Sequence, residues 1–193
     1  MRFAVLEDIW ALDALNPMEW HFLCELPDAA AGSGMDPAAV KNSLFPCPLA
    51  DDTEMDSDLE QQIEDWNEYV QPEIESIFDE ARKTVIRDLE TAEKLPATEF
   101  FESDELEEIT LPDSEPLDYR RVLIPLDHAD AWYSALNQAR LLMNEEHEIT
   151  DSMERFSFLM GSEGELSPER GLLLAQYEMY SAIQSILVEN LMK

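Results

Sequence analysis

Arg140 is the residue whose type and place most invite chemistry. It lies beside a stripe of Trp132, Leu136, Ala139 and Met143 at helical spacing, in a chain with 12 Lys and Arg against 44 Asp and Glu. A buried guanidinium without a partner is costly, so one is expected. The preferred partner is a carboxylate on a neighbouring helix, tying down the helix that carries Asn137. The alternative is a binding site for an acidic group or a chain carboxy terminus. Arg140, Asn137 and Trp132 together make up the candidate polar site, for binding or for structure.

Other constellations give less. His21, His128 and His147 form no H-x-x-x-H or H-E-x-x-H pattern. His128 stands between Asp127 and Asp130, and His147 between Glu146 and Glu148, as solvated helix ends would in so acidic a chain. Asp52, Glu54, Asp56 and Asp58 alternate as in a calcium loop, but Ser57 and Ile63 occupy the positions that need glycine and glutamate. Ser43, Cys24 and Cys47 sit in no nucleophile motif, and no Gly-rich phosphate loop exists. With acids this frequent, no pair of carboxylates stands out. The expectation is a non-enzyme with no cofactor, no metal and no catalytic residue. A divalent-metal-dependent enzyme is the weakest reading.

The formal net charge of -32 excludes a basic nucleic-acid binder, which must neutralise phosphates, and a protein that docks on anionic lipid. No run of about 20 apolar residues is present to span a bilayer. Glu7 and Asp8 interrupt the apolar start, unlike a secretory signal. The expected location is cytoplasmic, with Cys24 and Cys47 as buried or half-buried thiols. At 193 residues and 45% hydrophobic content there is material for one domain with a true core.

Five glycines are too few for the turns of an all-β fold, and Leu, Glu, Ala and Met favour helices. Asn16-Pro17-Met18-Glu19 reads as a capping box with proline at the first helical position, opening a helix with Trp20, Leu23 and Cys24 on one face that stops near Pro27. Ala29 to Gly34 reads as a linker, and Asp36-Pro37 opens a short helix through Leu44. Leu59, Ile63, Trp66 and Val70, then Ile74, Phe78, Ala81, Val85 and Leu89, form stripes of one kinked helix or of two that meet at Pro72, ending near Lys94. Trp66 and Trp132 are both expected in the core. Arg2 to Leu6 fits a strand about as well as a helix, and Arg121 to Ile124 is the best strand. Asp127 is expected to cap the helix of Trp132. Ser167-Pro168 opens a last helix with Leu173, Tyr177, Tyr180, Ile183, Leu187 and Leu191 on one face. The resulting expectation is a mainly α, single-domain (1–193) multi-helix orthogonal bundle. It includes one short two-stranded β ribbon, residues 2–6 against 121–124, and an acidic loop insertion at 95–118.

Three segments resemble a bacterial family of unknown function, DUF2017. They are the strand-to-helix unit Arg121 to Met143, with Trp132, Leu136-Asn137 and Arg140-Leu141; Leu44-Phe45-Pro46 leading into the acidic segment and Trp66; and Tyr177, Ile183-Gln184 and Leu187-Val188 in the last helix. The chain departs from the family pattern in the acidic stretch 99–118 and at Leu142-Met143-Asn144-Glu145, where members usually carry a glycine. The resemblance implies no activity. In some bacteria members are encoded beside the adaptor of the Clp protease, which implies a link to protein turnover by association.

From Asn42 to Ala81 there are 13 acids and no Lys or Arg, and from Leu95 to Asp118 nine acids and again no cation. Three uses compete: solubility or salt adaptation, an interaction or adaptor module steering a protein partner with a basic surface, and a phosphate mimic that inhibits a DNA-binding protein. Direct nucleic-acid and membrane partners are not expected.

Overall fold

The computed structural model describes residues 1–46, 57–101, 118–150, 153–160 and 166–190. Mainly α holds, but the expected ribbon is a four-stranded antiparallel sheet in the order β1-β2-β4-β3, with β1 at Arg2–Val5, β2 at Ile9–Leu15, β3 at Glu93–Pro96 and β4 at Asp118–Pro125. Residues 2–6 do not pair with 121–124. Strand β2 lies between them, bonding β1 on one side and β4 on the other.

The reason β2 escapes a sequence reading is local. Leu12 and Leu15 would face opposite sides of a regular strand, yet both are buried in the main core. A shift of register between them, with Ala14 at φ 51°, turns Leu15 inward and sends Ala14 to the opposite face beside Phe100 and Tyr119. The alternation that marks a strand is thereby broken. The helix expected to reach Lys94 ends at Glu90, and Leu95 and Pro96 lie in β3 rather than in a loop. A single 3₁₀ turn, Ala97–Glu99, then leads to the buried Phe100. The rest of the expected acidic loop up to 117 lies outside the described residues.

One face of the sheet, with Trp10, Leu12, Val122 and Ile124, is covered by helices. Helix α1 (Pro17–Ala31) starts on the expected capping box, Asn16 accepting from the Glu19 backbone and Glu19 accepting from Asn16. It does not stop at Pro27. Burial of Leu26 and Ala30 on either side outweighs the lost backbone bond, and the helix ends on Gly32 in the left-handed conformation. The buried stripe is Phe22, Leu23, Leu26 and Ala30, which leaves Cys24 exposed rather than on the inner face.

Helix α2 (Pro37–Leu44) follows. Helix α3 (Ser57–Asp65) then runs through a π-helical turn, Trp66–Val70, into α4 (Gln71–Glu90). The Gln71 N–H donates to the Trp66 carbonyl five residues back, and this wider turn absorbs Pro72 without a corner. Helix α5 (Ala129–His147) packs against α1, α4 and α7. It is entered through a 3₁₀ turn and not through an Asp127 side-chain cap. Helix α6 (Met153–Leu159) precedes α7 (Pro168–Asn190), whose Tyr177, Tyr180, Ile183 and Leu187 are buried as expected, Leu191 lying outside the described residues.

Tyr180 ties α7 to α1. Its hydroxyl donates to the Phe22 carbonyl at 2.5 Å and accepts from Gln176 at 2.9 Å. Burial raises the phenol's pKa well above its usual value, only partly offset by the Gln176 bond. The unfolded chain therefore loses this proton first, near pH 10, while the native state keeps it. The stability is complete below about pH 10 and falls above it by up to about 1.4 kcal/mol per pH unit. Denaturation midpoints from pH 8 upward should show this fall, and Tyr180→Phe should flatten it. An equally steep fall in the variant would remove Tyr180 as the cause.

Candidate functional site

Helix α5 divides the predicted polar residues between two faces. Trp132 is fully buried and points to α4, where its indole N–H donates to Asp88 at 2.8 Å. The same carboxylate meets His128 Nδ1 at 2.9 and 3.0 Å. His128 thus pairs with a residue 40 positions earlier, not with its neighbours Asp127 and Asp130. Asp88 is itself buried, so its carboxyl group finds its partners, Trp132 and His128, inside the protein.

Asn137 and Arg140 lie on the flank of α5 that faces α7, and Trp132 does not join them. The Arg140 guanidinium donates to the Gln184 side-chain carbonyl and, at 3.4 Å, to the Tyr177 hydroxyl, and it lies over the Tyr177 ring at 5.2 Å. Gln184 in turn donates to Asn137 at 3.4 Å. These residues border a shallow cleft of about 320 Å³ between the two helices, with Tyr133, Val188 and Glu189 on its walls. The expected carboxylate partner is not there: among the described residues the partners of Arg140 are neutral, and its Nε–H is enclosed without an acceptor. A second guanidinium, Arg155, also lies over the Tyr177 ring, at 5.4 Å, with Glu178 as its ion-pair partner at 2.6 Å.

Gln184 and Tyr177 belong to this site, a role that their place in the sequence does not mark. The available signal was a glutamine inside the apolar stripe of α7, two turns after Tyr177 on the same face. Asp88 carried no signal, being one acid among 44.

The remaining candidates are scattered. His21 faces Glu25 at 3.3 Å and His147 faces Glu146 at 3.4 Å. Among the described residues no group of three or more His, Cys, Asp or Glu is arranged to hold a metal ion. The Cys24 thiol pKa is raised, chiefly by partial desolvation, with Arg120 opposing. Cys47 and Asp52, Glu54 and Asp56 lie outside the described residues, and Asp58 is exposed on α3.

A second surface stands out by charge. Asp58, Glu60, Glu64, Asp65, Glu68, Glu73, Glu75, Asp79 and Glu80 run along α3 and most of α4, and the first cations are Arg82 and Lys83, both paired with Asp79. Trp66, expected in the core, is not in it. No described residue from 58 to 70 is buried, and Tyr69 and Ile77 are 64% and 57% exposed. The helical arm thus carries an aromatic and aliphatic strip among carboxylates, whereas Ala81, Val85 and Leu89 further along α4 are buried.

Among the described residues no helix is long and apolar enough to cross a membrane. A family model described as a domain of unknown function, DUF2017, matches residues 6–191. No curated protein and no solved structure matches.

Proposed function

This chain belongs to the DUF2017 family, and we propose that it is a non-enzymatic interaction module, of adaptor type, that docks a basic amphipathic segment of another protein along α3 and α4. The observation that carries the reading is the arm itself: exposed Tyr69, Val70 and Ile77 within a row of nine carboxylates. An apolar strip in that setting suits a helix with its own apolar face and lysines or arginines on the flanks. A second copy of the chain is disfavoured, since it would set nine carboxylates against nine. A cytoplasmic location and the link to proteolysis that the family resemblance implies belong to this same reading.

The test uses a lysine- and leucine-based amphipathic helical peptide as probe. Saturable binding at about 0.05 M salt should weaken by about tenfold or more at about 0.5 M, since screening shortens the reach of the carboxylates. Glu64→Gln combined with Glu68→Gln should weaken it at low salt, whereas Glu169→Gln, far along the chain on α7, should not. Binding equal in all three proteins would defeat the reading. The acidity would then be surface chemistry. Its own mark is a melting temperature that climbs with salt in the absence of any ligand.

A further inference from the structure

We propose that the cleft between α5 and α7 binds the terminal α-carboxylate of a peptide, with Arg140 as its anion receptor. A guanidinium offers five N–H donors. Here two are used, both on neutral acceptors, and one of those contacts is long. In a chain with 44 acids, a structural arginine this close to two helices would be expected to have a carboxylate against it, as Arg121 has Asp13 and Arg155 has Glu178. Arg140 instead is oriented by Gln184, which is only 6% exposed, and by the ring and hydroxyl of the buried Tyr177. Those neutral supports hold the fork in place and leave it, among the described residues, without a carboxylate in direct contact, which is how a preorganised anion site is built.

The walls select the source of the carboxylate. Beside the guanidinium stand Tyr133 and the half-exposed Val188, an apolar surface for the side chain of a last residue. A chain terminus brings its carboxylate and an apolar side chain on the same carbon. An aspartate or glutamate side chain does not, and an acidic segment carrying one would also meet Glu189 and the field of a protein at -32. The cleft volume of about 320 Å³ is of the size that small ligands occupy. This site is independent of the acidic arm and asks for the opposite charge.

The probe is acetyl-Gly-Ala-Leu with a free carboxy terminus, which carries no cation for the arm to attract. Titration followed by NMR should show the free acid binding about tenfold or more tightly than its carboxamide, the worth of a charge-assisted bond. Arg140→Gln should remove the difference, and Arg140→Lys should restore part of it. Val188→Glu, a change at an exposed position, should weaken the free acid without touching the guanidinium, so the assignment does not depend on the fold tolerating loss of Arg140. Acid and amide binding alike, no saturable binding of the acid, or a difference that survives in Arg140→Gln would each overturn the site. An amidated peptide ending in glutamate that binds as well as the free acid would overturn the choice of a chain terminus.

Discussion

Trp132→Ala should lower folding stability by about 3–5 kcal/mol in chemical denaturation. The indole is fully buried, meets Trp10 edge-on with ring centroids 5.4 Å apart, and lies where α5 crosses both the sheet and α4. Truncation removes that packing and opens a cavity that the surrounding close-packed side chains fill only in part. It also takes from Asp88 the shorter of its two kinds of side-chain contact, leaving a buried carboxylate that, among the described residues, His128 alone partners. Against a total stability of about 5–15 kcal/mol for a domain, that loss is a large fraction.

Trp132→Phe separates the two contributions. It keeps most of the aromatic volume and deletes the N–H, so it should cost about 1.5–3 kcal/mol, the range for a hydrogen bond to a charged group. A double-mutant cycle with Asp88→Ala then isolates the coupling, which should be of the order of 1 kcal/mol or more. A phenylalanine variant as stable as the parent would mean the buried bond contributes nothing. An alanine variant losing less than about 1 kcal/mol would contradict the placement of Trp132 in the core.

Gly32→Ala is expected to cost about 2–4 kcal/mol, for two reasons that add. Gly32 ends α1 at φ 66°, where its N–H donates to Ala29 and the next N–H, of Ser33, to Asp28. An L side chain in that conformation costs about 1–2 kcal/mol. A Cβ there would also lie 2.5 Å from Val40 Cγ2 and 3.2 Å from Leu142 Cδ1, so the Val40 side chain must move and Leu142 must give way slightly to admit it. Gly34→Ala is the comparison: its φ is also positive, at 94°, but nothing lies within 4 Å of the added carbon. It should cost clearly less than Gly32→Ala, and Val40→Ala should recover part of the Gly32→Ala loss by making room. Equal costs at the two glycines would remove the steric part of the explanation.

Helix starts and long apolar faces were legible from the chain alone. Asn16, Pro17 and Glu19 make their capping box from four consecutive residues, and Trp132, Leu136, Ala139 and Met143 share a face by helical period alone. Tyr177, Tyr180, Ile183 and Leu187 do the same on α7. The excess of carboxylates was equally plain. These properties depend on neighbours within a few positions, or on no neighbours at all.

Tertiary structure decided what depends on distant residues. Pairing made strands of IWALDAL and EKLP, which do not show a strand's alternation on their own, because β4 and β1 offered backbone partners and α1 and α5 a core to cover. It let α1 run through Pro27 and turned Cys24 outward, because the buried stripe follows the neighbours and not the sequence's own apolar positions. It left Trp66 on an exposed arm, since helical spacing records that a face is apolar and not whether anything covers it. Above all it chose the partners of charge. Asp88 went to His128 and Trp132 across 40 and 44 positions, and Arg140 to Gln184 and Tyr177 across 44 and 37. Where nearly every segment holds a carboxylate, which one reaches a given cation is set by how helices cross, and that is a property of the packed core.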